Sequence, residues 1–152
     1  MKLGAFNTLF YDRGFDEALE AIKSQGCEAV EIGCGGFISK KHIDPSRLLA
    51  DEKALKSFRS SVEKSGLFVS ALSCHGNMAH PRKDFADGHR KDFRDAIQLA
   101  GKIGVERIVT FAGCPGTSDT DANPSWITCP WPDYFTESLK WQWEQKLIPL
   151  WK

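Results

Sequence analysis

The 152-residue sequence lacks an excess of charge, and this absence limits the partners it can have. Twenty Lys and Arg residues balance twenty Asp and Glu residues, which argues against the basic stripe that a nucleic-acid surface normally needs. No apolar run approaches the roughly 20 residues of a membrane span. Asn7 and Asp12 interrupt the N-terminus before the apolar stretch of a signal peptide could form. We therefore expect no nucleic-acid partner, no membrane partner and a cytoplasmic location.

Cysteine pairs with metal-binding spacing are also lacking. The five cysteines are an odd number and include no C-x-x-C pair, which argues against a closed structural zinc site. Free cysteines suit a reducing compartment. The length fits one ordinary domain, and 41% hydrophobic and 26% charged residues are typical of a globular protein.

A join between a helix and a strand recurs three times, in residues 23–32, 64–72 and 102–109. Each join has basic residues in a last helical turn, then a glycine placed to end the helix, then an apolar strand. With a first strand in residues 2–7, the sequence predicts four strands that alternate with four helices. This pattern indicates a parallel α/β sheet with right-handed crossovers.

The helices themselves are predicted from apolar residues with helical spacing. Asp16 is available to cap the first helix, and the fourth helix is expected to begin near Thr136. The apolar stripes of the first three helices are Phe15, Leu19 and Ile22; Leu55, Phe58 and Val62; and Phe93, Ile97 and Ala100.

Two parallel architectures fit this alternation, an open doubly wound sheet and a closed (β/α)8 barrel. The first strand is followed by NTLFYD, residues 7–12, which has no G-x-G-x-x-G phosphate loop, so a dinucleotide-binding fold is not supported. The glycine cluster GCGG at residues 33–36 follows the second strand, and we interpret it as a flexible turn.

Polar side chains lie where the predicted strands end: Asn7 after the first, Glu31 in the second, and His75 and Asn77 after the third. The carboxyl ends of parallel strands share one face, which carries the active site in barrels. We therefore predict that these four residues contact a ligand. The alternatives are a solvated or salt-bridged carboxylate at Glu31 and a backbone-bonded histidine at His75.

His80 is an additional candidate, since Pro81 favours an extended loop there. His42 and His89 are interpreted as surface positions. The connection after the fourth strand, residues 113–135, exceeds the roughly 12–15 residues of ordinary loops, and its aromatic content argues against disorder. It is either a binding lid, with Trp131 as a further candidate, or a packing loop at a subunit interface.

In order and spacing, the segments MKLGAFNTLF, AVEIGCGGF, LFVSALSCHGNMAHP and ERIVTFAG resemble those of xylose isomerase-like TIM barrels, and more narrowly the sugar phosphate isomerase/epimerase group. The resemblance implies that residues 1–152 are the first four βα units, the N-terminal half of a (β/α)8 barrel, ending inside its fourth helix. It also implies a divalent metal (Mn, Mg, Co or Zn) and transfer of a proton beside a carbonyl through an enediolate.

In that family the metal-binding residues come from later strands, so we expect this chain to hold neither a metal nor catalytic residues and to be inactive alone. Its implied role is to contact a sugar or polyol, with self-association or a complementary C-terminal half as partner, because a half barrel leaves open strand edges. The alternatives are a non-catalytic binding or assembly module, a polyol dehydratase, or an apurinic-site endonuclease. The endonuclease branch has a histidine after the fourth strand, where this sequence reads Thr110-Phe111-Ala112-Gly113.

Overall fold

Four parallel strands form one sheet in the computed structural model, which describes residues 1–152. The order in the sheet is the order in the chain, so β1 and β4 are the two edges. Each strand pairs in parallel with its neighbour. The parallel α/β fold predicted from the sequence is therefore confirmed. The strands are β1 (Gly4–Phe6), β2 (Ala29–Gly36), β3 (Phe68–His75) and β4 (Ile108–Val109).

Six α-helices lie between and after the strands, two more than predicted. A 3₁₀ turn, Asn7–Phe10, follows β1, and a π-helical segment, Gln142–Leu147, joins α5 to α6. No helix is both long enough and apolar enough to span a membrane. The helices are α1 (Phe15–Ser24), α2 (Pro45–Ala50), α3 (Glu52–Ser65), α4 (Lys83–Ile103), α5 (Asp133–Trp141) and α6 (Ile148–Trp151).

The helix boundaries correct several predictions. The N-cap of α1 is Gly14, whose backbone N–H donates to the Glu17 carboxylate, and Asp16 lies inside the first turn. The unpredicted helix α2 has Asp44 as N-cap and proline at its first position, a start signal that is readable in the sequence. The fourth predicted helix begins at Asp133, not near Thr136.

Two compact units make up the chain, Met1–Gly76 with Lys91–Thr110, and Asn77–Arg90 with Phe111–Lys152. The first unit contains the whole sheet. Its core lies on one face of that sheet, where alternate strand residues meet α1, α3 and the second half of α4. Of the predicted stripe of α4, Ala100 is buried as expected but Ile97 is 48% exposed, and Ala96 and Leu99 are buried in its place. The strand residues of this core include Val30, Ile32, Cys34, Leu72, Cys74 and Ile108.

The glycine cluster after Ile32 is part of β2 rather than a flexible turn, which corrects the sequence interpretation. The pairing of β2 with β3 shifts register between Gly33 and Gly35 and continues to Gly36, opposite His75. Gly36 has φ +71°, and a Cβ there would lie 2.4 Å from the His75 carbonyl. Glycine is therefore needed because the two backbones approach closely at an irregularity of the ladder.

The second unit is organised around the long connection, since residues 110–132 contain no helix or strand. Gln142 is buried and donates to three carbonyls of the connection, those of Pro115 at 3.3 Å, Gly116 at 3.0 Å and Ser125 at 2.8 Å. Asp121 accepts hydrogen bonds from Thr117 and Ser118. These bonds account for an ordered loop of this length.

Candidate functional site

The face of the sheet that does not carry the core displays polar side chains in the first unit. Side chains alternate between the faces of a strand, so Glu31 on β2 and Ser73 on β3 point away from Val30 and Leu72. The Ser73 hydroxyl donates to Oε1 of the Glu31 carboxylate. This bond fixes one carboxylate oxygen of a half-buried residue and leaves Oε2 for another donor.

His75 ends β3 two residues after Ser73, on the same face. Its ring meets the edge of Phe6 from β1, with centroids 6.1 Å apart and planes at 75°. Its carbonyl accepts the Phe37 N–H at 2.8 Å. His75 is the last residue of β3, at the carboxyl end where barrels place their sites. Glu31 was predicted near the end of the second strand, but β2 continues to Gly36, opposite His75, so Glu31 lies on the same face closer to the start of its strand.

Asn7 lies behind this face rather than on it. Its side chain is 0% exposed; Oδ1 accepts the Gly33 N–H at 2.9 Å and Nδ2 donates to His42 Nδ1 at 2.9 Å. Because His42 Nδ1 must accept, the proton is on Nε2, which donates to the Arg13 carbonyl at 3.1 Å. Asn7 therefore holds the end of β2 in place, and its contact with a ligand would be indirect.

His42, which the sequence suggested was a surface residue, is half-buried and packs edge-on against Tyr11 at 4.8 Å between centroids. The Tyr11 hydroxyl donates to the Ser39 carbonyl at 2.7 Å. Burial, with a smaller contribution from Cys34, raises the pKa of Tyr11 to about 12. These contacts fix the conformation of the segment that follows β2.

A half-buried ion pair between Lys40 and Asp92 supports the end of β2. Asp92 on α4 accepts the Gly36 N–H at 3.0 Å and the Lys40 ammonium at 2.5 Å. Burial opposes the charged form of Lys40, but the bond to Asp92 and nearby carboxylates raise its pKa. Hydrogen bonding to Cys74, together with burial, raises the pKa of the Cys34 thiol, which disfavours the thiolate at Cys34. The same hydrogen bond lowers the pKa of the Cys74 thiol.

Asn77 belongs to the second unit, where it fixes the start of the β3–α4 connection. Its Nδ2 donates to the Cys114 carbonyl at 2.7 Å and its Oδ1 accepts the Cys114 N–H at 2.8 Å. Its backbone N–H donates to His89 Nδ1 at 3.0 Å, so His89 also has an internal role that the sequence did not suggest. Asn77 is 5% exposed.

The two additional candidates are also in the second unit. His80 is half-buried and stacks on Phe85, with centroids 4.9 Å apart. Trp131 is 74% exposed, and its carbonyl accepts the Cys129 thiol at 3.1 Å. The structure thus brings Glu31 and His75 onto one sheet face, together with Ser73, which sequence reasoning missed because a serine in an apolar strand carries no distinctive signal.

This chain has no group of side chains that could bind the metal implied by the resemblance. No three His, Cys, Asp or Glu side chains among the 152 residues are arranged to hold a metal ion. Glu31, the carboxylate on the same sheet face as His75, has one oxygen bound to Ser73. These residues by themselves therefore do not fit a metal centre.

Comparisons with known proteins agree with the fold. A family model described as a xylose isomerase-like TIM barrel matches residues 19–142. Uncharacterized protein YfiH of Bacillus subtilis (strain 168) is 31% identical over 140 residues, which are 91% of this chain and 44% of that protein.

Two crystal structures resemble the chain at the level of the fold. One is 3-keto-D-glucoside 4-epimerase, YcjR, from E. coli, with a TM-score of 0.56, 18% identity, and coverage of 92% of this chain and 49% of that one. The other is D-psicose 3-epimerase in the presence of D-fructose, with a TM-score of 0.50, 13% identity, and coverage of 93% and 47%. The chain spans about half the length of the relatives it matches.

Proposed function

Because the chain belongs to the xylose isomerase-like TIM barrel family, we propose that it supplies the substrate-binding half of a sugar or sugar phosphate isomerase or epimerase. The reaction class is transfer of a proton at the carbon beside a carbonyl, through an enediolate. Returning the proton to the neighbouring carbon isomerises the sugar, and returning it to the opposite face of the same carbon epimerises it.

The observation that carries this proposal is the pairing of the buried Ser73 with the half-buried Glu31 on the sheet face opposite the core. A carboxylate oriented by a neighbouring hydroxyl is a strong acceptor for a sugar hydroxyl. His75 on the same face adds a group that can donate or accept. Acceptors and donors spaced along one wall suit the successive hydroxyls of a sugar chain.

In this proposal each residue of the first unit has a binding or supporting role. Glu31 accepts a substrate hydroxyl through Oε2, and His75 hydrogen-bonds a neighbouring oxygen. Asn7 keeps the Gly33 backbone in place, and Asn77 does the same for the loop after β3 in the second unit. No step of the reaction passes through a metal held by this chain, since its residues do not fit one; the groups that move the proton are expected outside it.

Binding of a ketohexose is the first test. We expect D-fructose to shift the amide signals of β2 and β3 in a nuclear magnetic resonance titration, and Glu31→Gln to weaken this binding about tenfold, since a charge-assisted bond becomes a neutral one. Glu28→Gln is the matched control, because Glu28 is exposed just before the same strand. Equal affinity in both variants would contradict the role of Glu31.

The reaction itself is tested by solvent exchange. In deuterium oxide, the chain alone should bind the ketose without incorporating deuterium beside the carbonyl. Incorporation by the chain alone, abolished by Glu31→Gln, would show that the reacting groups are in this chain and would overturn the division of roles proposed here.

A non-catalytic binding or assembly module is the second candidate, favoured by the lack of a metal ligand set. It predicts sugar binding with no exchange under any condition, including addition of a complementary polypeptide. The endonuclease is disfavoured by the balanced charge and by Thr110 after β4, whose hydroxyl donates to the Cys74 carbonyl at 2.8 Å. A polyol dehydratase would be recognised by loss of water from the product.

We also propose that the open edges β1 and β4 pair with a second copy or a complementary half, because unpaired parallel edges expose backbone donors and acceptors. Sedimentation of a stable monomer at high concentration would refute this. A cytoplasmic location is part of the same proposal, since all five cysteines are unpaired; fractionation of cells expressing the tagged chain tests it.

A further inference from the structure

A cleft of about 210 Å³ lies entirely within the second unit and has no part in the proposed function. It is lined by residues of the β3–α4 connection, the first half of α4, the long loop, and the helical segment that ends the chain. Pockets for drug-sized ligands are about 300–1,000 Å³, so this volume suits one small molecule. Its side chains define the chemistry of that molecule.

Trp141 forms one wall of the cleft. The residues after it wind as a π-helix, in which residues five apart are linked turn to turn. This winding sets Lys146 over the indole, with Nζ 5.1 Å from the ring centroid. Pro115 and Leu150 add apolar surface beside the indole. Such a surface packs against the C–H face of a ring whose edge is polar.

Donors and acceptors surround this apolar wall. His80 Nδ1 accepts the Arg82 N–H at 3.0 Å, so the neutral ring carries its proton on Nε2 and offers a donor. Arg90 donates through Nε to the Met78 carbonyl at 3.0 Å, and its Nη1 lies 3.6 Å from the Asp87 carboxylate, so Nη2 is the donor that we assign to a ligand. Asp119 pairs with Lys146 and still has acceptor capacity in its exposed carboxylate.

The charges of the lining are balanced, and this decides between ligand classes. Arg90 and Lys146 are offset by Asp119 and Asp121, which also line the cleft. An anion such as phosphate would face two carboxylates and compete with an existing ion pair. A neutral molecule with both hydroxyl donors and acceptors meets every group without charge repulsion.

We propose that this cleft binds a neutral polyhydroxylated ring, a monosaccharide or cyclic polyol, against Trp141. The cleft shares no lining residue with the Glu31 and His75 set of the first unit. Its existence does not depend on the proposed reaction.

The test is a titration of the isotope-labelled chain with D-glucose, myo-inositol and inorganic phosphate, followed by nuclear magnetic resonance. We expect at least one polyol to shift the Trp141 indole N–H and the amides of residues 115–121, and phosphate to leave them unchanged. Shifts confined to β2 and β3 would support the proposed function and refute the cleft. Shifts caused by phosphate alone would also refute it.

Variants separate binding from folding. Trp141→Ala should weaken the polyol about tenfold or more, because it removes a central aromatic anchor. Trp143→Ala is the matched control, since Trp143 is exposed two residues away and does not line the cleft. Lys146→Met should weaken binding with little effect on fold, because its ion pair with Asp119 is largely exposed. Polyol affinity unchanged in both cleft variants would overturn the inference. Glu31→Gln should leave this affinity unchanged.

Discussion

Replacement of Asn7 by leucine removes a buried amide that the first unit uses twice. The substitution keeps the size of the side chain but leaves the buried Gly33 N–H without its acceptor and His42 Nδ1 without its donor. An unsatisfied buried backbone group costs about 1–3 kcal/mol, and loss of an ordinary hydrogen bond costs about 0.5–1.5 kcal/mol. We expect the free energy of unfolding of the first unit to fall by about 2–4 kcal/mol.

Urea denaturation followed by circular dichroism measures this loss, provided that the slope with denaturant does not change. Asn123→Leu is the control, because Asn123 is exposed and exposed substitutions usually change stability by less than about 0.5 kcal/mol. Equal effects of the two substitutions would refute the reasoning.

A double-mutant cycle with His42→Phe isolates the shared bond. If Asn7 and His42 are coupled as described, the double variant should lose about 0.5–3 kcal/mol less than the sum of the single variants. Strict additivity would mean that the amide and the imidazole act separately, and the assigned tautomer of His42 would then have no support.

Three further predictions concern single groups. Gln142→Ala should destabilise the second unit by about 1–3 kcal/mol and speed hydrogen exchange in the long loop, whereas the exposed Gln145→Ala should do neither. Burial raises the pKa of Tyr11 from 10.0 to about 12, so the contribution of Tyr11 to stability is present below pH 10 and is lost as the pH rises toward 12. Absorbance titration of a variant that lacks the other tyrosine measures this pKa. Ionisation of Tyr11 near pH 10 would contradict the prediction. The backbone N–H of Thr117 and neighbouring donors lower the pKa of Asp121 below 3.8. The Asp121 carboxylate therefore stabilises the long loop above pH 3.8, and this stabilisation is lost as the pH falls below that value. The Asp121→Asn substitution should remove this acid dependence from the amide signals of the loop.

The sheet could be predicted from the sequence because its signals are local. Each helix end, glycine and apolar strand lies within about ten consecutive residues, and the structure places β2, β3 and β4 at these joins. Glu31 and His75 were predicted to share a site from parallel topology alone, and they do share one sheet face. The missed helix α2 had a local signal as well, in Asp44 and Pro45.

The features that the sequence did not predict depend on residues that are far apart in sequence. Asn7 was predicted to contact a ligand, but its side-chain amide donates to His42, 35 residues away, and accepts from the Gly33 N–H. The GCGG segment became a strand because the approach of β3, not local propensity, decides its conformation. The cleft beside Trp141 required the loop after β3 and the end of the chain to fold together, which no periodicity indicates.

The strand order of the sheet has a consequence for how the chain is made. Each strand pairs only with strands next to it in sequence, as Phe6 does with Glu31 and Leu72 with Ile108. During synthesis, which proceeds from the N-terminus at about 5–20 residues per second, every strand after the first finds a partner already present. The entropic cost of long loop closure, which slows parallel sheets, is therefore divided into three separate steps, one for each pairing of consecutive strands.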